Sequence, residues 1–135
     1  MSKHETPMTR WYWQSVGGTL IEEFVAVKET AGSGRRVLDA VIIKNEETLI
    51  AKQSEVSLEG KDIIVIQTKA SRLGMYLMGQ ALFSRQLIMM FKPKSVKSVA
   101  LCNRDDAVLR PLLEQYEGME VVVCPTDLLD ESVSQ

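Results

Sequence analysis

Histidine is almost missing from this chain of 135 residues: the single copy, His4, sits in a polar N-terminal stretch, MSKHETPMTR. That scarcity removes histidine-based acid–base catalysis and most zinc chemistry from the available functions. Cysteine is nearly as rare. Cys102 and Cys124 are too few for a disulfide framework or a zinc site. Both lie in apolar stretches, where a free cysteine behaves as a small hydrophobe. No run approaches the roughly 18 consecutive apolar residues of a membrane span, and the N-terminus lacks the apolar core of a signal peptide. The expectation is a cytoplasmic protein with no membrane partner. A glycine-rich phosphate loop following a strand is also lacking, because Gly32-Ser33-Gly34 precedes a strand and has the wrong spacing. Repeats and low-complexity linkers are absent.

What is present is ordinary for a globular protein: 45% hydrophobic and 25% charged residues, in a length that fits one domain able to bury a core. The formal charge of −2 conceals an asymmetry. Residues 105–135 hold eight acids (Asp105, Asp106, Glu114, Glu117, Glu120, Asp127, Asp130, Glu131) and one base, Arg110. Of the chain's 16 bases and 18 acids, 15 and 10 therefore fall in residues 1–104, a net of +5 against −7. A basic body with an acidic C-terminal section can present a positive face to a phosphate backbone, although an uneven surface alone gives the same count.

The pattern predicts a frayed tail over 1–8, one domain over 9–124 and an acidic tail over 125–135. Trp13, Val16, Leu20, Ile21 and Phe24 recur at three- and four-residue steps, which predicts a helix from Thr9, its cap, to Val27. Gly17-Gly18 implies a close approach, a kink or a break within it. Glu22 and Glu23 then fall on its last turn, either as a solvated pair or with Glu23 turned toward a cleft. Strands are expected over 35–43 and 48–53, and from Lys61. Leu73 to Phe91 reads as a long apolar helix holding four of the seven methionines, clamped on the sheet or serving as a dimer face. Lys92-Pro93-Lys94 ends it. A strand over 95–102 follows, then a helix over 107–116 that tolerates Pro111 only in its first turn, a stop at Gly118, and a last strand to Cys124. The order is α-β-β-β-α-β-α-β, an α/β fold with a central mixed sheet flanked by helices.

Two polar intrusions stand out. Asp39 interrupts the apolar strand RRVLDAVII and wants a cation, a metal, or several hydrogen bonds, with Arg35 or Arg36 as the simplest partner. In KDIIVIQTKA, four β-branched residues, Ile63 to Ile66, end in Gln67-Thr68-Lys69. Such a strand is of the kind covered on both faces. Alternation sends Gln67 and Lys69 one way and Thr68 the other. Either the strand runs out into solvent there, or it delivers an amide and an ammonium to a site.

Taken in order, Glu22/Glu23, Asp39 and Gln67-Thr68-Lys69 resemble the pattern of the restriction-endonuclease-like, PD-(D/E)XK, nuclease superfamily. Its core runs αβββαβ, with an acid on the first helix, an aspartate in an early strand and an acid-X-lysine ending a central strand. The QXK form is similar to that of Mrr-type endonucleases, and the resemblance spans residues 10–124. It implies a nuclease hydrolysing phosphodiester bonds in DNA, in repair, restriction or mobile-element processing. It further implies a catalytic set of Glu22, Glu23, Asp39, Gln67 and Lys69, and Mg²⁺ or Mn²⁺ held by Asp39, Gln67, Thr68 and Glu23. Arg35, Arg36, Arg72 and Gln80 are the expected nucleic-acid contacts, with DNA as partner; the apolar helix 73–91, where it is a contact face and not only a core helix, would serve a homodimer or another partner. The alternative is a non-catalytic nucleic-acid-binding or protein-interaction module on the same fold, presenting Arg35, Arg36, Arg72 and the Lys92/Lys94/Lys97 group on one surface.

Overall fold

Gly17 and Gly18 decide the first third of the chain. Both have positive φ (73° and 88°), which an α-helix cannot continue through. In this computed structural model, which describes residues 2–126, helix α1 spans Glu5–Val16 and strand β1 spans Thr19–Val27. The single helix expected from Thr9 to Val27 is thus two elements, and Glu22 and Glu23 belong to a strand. A Cβ on Gly18 would stand 2.5 Å from the carbonyl oxygen of Ile43, so the glycine lets β1 start hard against the strand beside it. The helix begins inside the segment expected to fray. Ser2 Oγ accepts from the Glu5 N–H at 3.3 Å, and Glu5 Oε1 accepts from the Ser2 N–H at 3.3 Å. Met8 and Tyr12, one turn apart, are buried against the sheet together with Thr9, which is therefore an interior helical residue and not a cap.

Strand β2 spans Arg36–Ile43, β3 Leu49–Ile50, β4 Asp62–Thr68, helix α2 Met75–Met89, β5 Ser95–Cys102, α3 Leu109–Glu114 and β6 Met119–Val123. The sheet order is β3-β1-β2-β4-β5-β6, with β2 antiparallel to both neighbours and β4, β5 and β6 parallel. This is an α/β fold with a six-stranded mixed sheet. The strand expected over 48–53 shrinks to two exposed residues. Beyond them a 3₁₀ turn, Gln53–Glu55, brings in a side chain: the Gln53 amide accepts from the Val25 N–H at 2.8 Å and donates to the Val25 carbonyl at 2.9 Å. One glutamine pairs the edge of β1 where a strand would have done so.

Helix α1 covers one face of the sheet, over Leu20, Ala40, Ile42, Ile64, Ile66, Val99 and Leu101. Helix α2 covers the other with Leu77, Ala81, Ser84 and Ile88, spaced at the helical period. Small residues at 81 and 84 let it lie close, and Ser98 Oγ donates to the Ala81 carbonyl at 2.7 Å. Helix α3 packs beside α2 through Leu113. Pro111 falls in its first turn, Asp106 Oδ1 caps it by accepting from Val108 and Leu109 N–H, and Gly118 follows with φ 77°. The acidic tail from residue 127 lies outside the described residues. Among those residues no helix is long and apolar enough to cross a membrane.

Candidate functional site

Strands β2 and β4 pair in register from Ile43↔Ile63 to Ala40↔Ile66 and stop there. One step further, side chains replace the ladder. Asp39 Oδ2 accepts from the Thr68 N–H at 2.8 Å, and the Asp39 N–H donates to Gln67 Oε1 at 3.4 Å. Gln67 is itself buried, and its Nε2 donates to Ser84 Oγ at 2.7 Å. The Ser84 hydroxyl is committed to the Gln80 carbonyl at 2.6 Å. A serine whose proton is spent can only accept, which orients the Gln67 amide with its oxygen toward Asp39. Strand β4 meanwhile stays with β5, the Lys69 N–H bonding the Leu101 carbonyl at 2.9 Å. The two strands separate at this point, and Asp39 sits in the fork.

The pairs Glu22↔Ala40 and Phe24↔Leu38 place Glu23 opposite Asp39. Glu23 has φ 54°, a left-handed conformation that costs a non-glycine residue about 1 kcal/mol or more. Its effect is to turn the strands over. Leu20 and Phe24 are four residues apart and should share a face, yet Leu20 packs under α1 and Phe24 with Phe91 on the α2 side. Leu38 and Ala40 divide in the same way. The inversion brings the Asp39 carboxyl within electrostatic reach of Glu5 on α1 and of Glu23. Its pKa is raised, first by burial and then by these two carboxylates, against the opposing effect of the Thr68 N–H.

The remaining expected residues divide. Glu22 is held by Arg10 of α1 through two hydrogen bonds of 3.2 and 2.8 Å, so it ties helix to strand. Thr68 uses its hydroxyl on Thr9 at 2.8 Å, closing α1 onto the end of β4. Lys69 is exposed one residue past β4. Arg35, Arg36 and Gln80 line a cleft of about 510 Å³ on the α2 side, whose floor includes Leu38, Gln67 and Ser84 and whose wall includes Phe83. Arg72 does not line it; it pairs by a backbone bridge with Arg104 at the far side of β4. Arg85 is half-buried and donates to the Val96 carbonyl at 3.1 Å. Because β2 runs against β4 and β5, Arg35, Arg36, Lys69, Arg72 and Arg104 all gather at one end of the sheet. Lys92 and Lys94 lie at the opposite end, before β5, and Lys97 pairs with Glu120 at 3.1 Å. The basic residues grouped as one surface are therefore two.

Sequence reasoning missed four participants. Glu5 and Thr9 were hidden in a stretch read as tail and cap, Ser84 reads as one polar position in an apolar helix, and Arg104 reads as loop. Only the sheet topology brings Arg104 beside Arg72.

For a divalent cation, the donors are mixed. Among the described residues no group of three His, Cys, Asp or Glu side chains is arranged to hold a metal, and the Gln67 oxygen is turned onto a backbone N–H. A closed protein cage does not fit. What the fork offers is Asp39 with Glu23 opposite it, the one or two carboxylates with which Mg²⁺ or Mn²⁺ is held where water and substrate oxygens complete the shell. Compared with known proteins, the chain matches no family model, no curated protein and no solved structure.

Proposed function

We propose that the protein is a metal-dependent nuclease of the restriction-endonuclease-like class, hydrolysing phosphodiester bonds in DNA at the fork between β2 and β4. The observation that carries this reading is the meeting of Asp39 with Gln67-Thr68 across two central strands, in a position that raises the Asp39 pKa by burial and by Glu5 and Glu23. Glu5 and Glu23 each act on the partly desolvated Asp39 carboxyl as like charges, and a cation would relieve that repulsion. The order of α1, the three long strands β1, β2 and β4, then α2 and β5 supports the fold assignment. The acid asked of the first helix is supplied by Glu5, while Glu22 and Glu23 have moved to β1.

Asp39, with Glu23 beside it, would hold the cation, which when bound polarises a phosphoryl oxygen and acidifies a water. Thr68 fixes the Asp39 carboxylate through its N–H, and Gln67 fixes the Asp39 backbone, so both act by positioning. Lys69 is placed to meet the charge that builds on the phosphate. Arg35, Arg36, Arg72 and Arg104 supply positive potential at the same sheet end, the sequence-independent part of nucleic-acid affinity. A second reading, a non-catalytic nucleic-acid-binding module, is favoured by one observation: the Gln67 amide is already engaged at both ends.

The test is cleavage of supercoiled plasmid and of labelled linear, single-stranded and branched DNA with Mg²⁺ or Mn²⁺. Wild type is compared with Asp39→Ala and Lys69→Ala, with circular dichroism as the control for folding. Metal-dependent cutting that falls about 100-fold or more in each variant is the expected result. No cutting of any substrate, with DNA binding unchanged in both variants, would leave the binding module.

A further inference from the structure

Helix α2 is apolar on the side that faces away from the sheet. At 100° per residue, Leu77, Ala81, Ser84 and Ile88 point inward, and Met75, Tyr76, Gly79, Phe83, Gln86 and Met90 point outward. Met75 is 75% exposed, Tyr76 79%, Phe83 67% and Met90 71%. A helix that is apolar all round is one that is covered all round. At about 150–250 Å² for a large side chain, these residues leave on the order of 600 Å² of apolar surface open, the upper end of what a monomer carries. The patch continues along a groove to α3, where Leu112 and Tyr116 are 48% and 52% exposed. With that extension it approaches the roughly 800 Å² per partner of a standard interface.

We infer that this face is covered by a second copy of the chain, α2 packing antiparallel on α2 about a two-fold axis on the outward side, at the level of residue 81. Charge permits it: the one charged residue of α2, Arg85, is turned away onto the Val96 carbonyl, so two copies meet without like charges. Shape favours it. In an antiparallel two-fold crossing at residue 81, position 79 of one helix faces position 83 of the other, and 76 faces 86. A Cβ on Gly79 would meet nothing within 4 Å, so the glycine leaves an open notch, and the residue set against it is the exposed Phe83 ring. The polar side chain of the outward face, Gln86, falls opposite the Tyr76 hydroxyl, a group able to take its hydrogen bond. One knob, one notch and one polar pair are each repeated by symmetry. That is the self-complementarity an isologous contact requires and a foreign partner does not.

Sedimentation over a concentration series tests this with the full chain. Wild type is expected to sediment as a dimer of the 15.2 kDa chain. Phe83→Glu and Gly79→Leu are each expected to weaken dimerisation about 30-fold or more, with helical circular dichroism retained because both positions are open in the single chain. The register is read by disulfide trapping: mixing Tyr76→Cys chains with Gln86→Cys chains should give a cross-linked pair that neither gives alone. A monomer at all concentrations, a dimer indifferent to both substitutions, or no gain in cross-linking on mixing would each overturn the inference. A monomer that instead captures another partner through this face would overturn it equally.

Discussion

The two ends of the β2–β4 pair are built on different principles. At one end Ile42↔Ile64 and Ile43↔Ile63 are in register, and the Lys44 N–H carries the ladder on to the Asp62 carbonyl at 2.9 Å. The four isoleucines are buried, and backbone bonds and apolar packing leave no polar side chain to satisfy. At the other end the ladder breaks after Ala40↔Ile66, and Asp39, Gln67, Thr68 and Ser84 complete it. The second arrangement is poorer in free energy: a carboxyl is desolvated within electrostatic reach of two others, and Glu23 holds a left-handed backbone. Natural chains keep such costs where a ligand compensates them. Substitutions at the two ends should therefore have different consequences.

Ile64→Ala, at the apolar end, should have the largest effect, a loss of about 2–5 kcal/mol in unfolding free energy, from lost transfer and the cavity left behind. Chemical denaturation measures it, and DNA affinity of the folded fraction should not move. Gln67→Leu comes next. It preserves bulk but strands the Asp39 N–H and removes the donor that Ser84 Oγ accepts from, for about 1–3 kcal/mol. If Gln67→Leu were as stable as wild type, the polar end would not be held together by this network. An effect as large as that of Ile64→Ala would mean that Gln67 also keeps β2 and β4 from separating.

Much of the polar end was legible in the sequence because it violates the local pattern. An aspartate amid Val37, Leu38, Ala40 and Val41, and a glutamine closing a run of isoleucines, are conspicuous where apolar residues are the rule. Long elements bounded by their own chemistry were legible as well: the strand over Ser95–Cys102, and the helix over 73–91 that proves to be Met75–Met89. The first helix was not. Five apolar residues at helical spacing span Gly17-Gly18, and periodicity cannot register that two consecutive positive φ angles cut the pattern. The same misreading hid Met8, whose polar neighbours disguise a fully buried side chain. Glu5 and Ser84 escaped because their roles exist only through contacts with strands more than a dozen residues away.

Asp39→Asn separates cost from function. The folded-state pKa of Asp39 is raised, so folding favours its neutral form. Its contribution to stability is complete below the ordinary value of 3.8 and is lost as pH rises through the folded value. At pH 7 the ionised carboxyl is therefore a burden. Asparagine keeps an oxygen for the Thr68 N–H and removes the charge, so the variant should melt higher than wild type at pH 7 and show no advantage near pH 3. Mg²⁺ should narrow the gap by stabilising wild type alone, by about 2.7 kcal/mol at a hundredfold excess over its Kd. A variant less stable than wild type at pH 7 would mean that the fork needs the charge even without a cation.

The smallest expected effect is Arg36→Ala. The Arg36 side chain is exposed, its guanidinium reaching the Arg35 carbonyl at 3.2 Å and lying over Gly34, so little packing depends on it and stability should stay within about 0.5 kcal/mol. Its role is in the field at the polar end. If that end receives the phosphate backbone, the slope of log K against log salt for DNA binding should fall by about 1, whatever the DNA sequence. Lys94→Ala is the matching change at the apolar end, also exposed, and should leave the slope as it was. Equal changes in the two variants would mean that DNA is attracted by the charge of the body as a whole. A change in Arg36→Ala alone ties binding to the end of the sheet that carries Asp39.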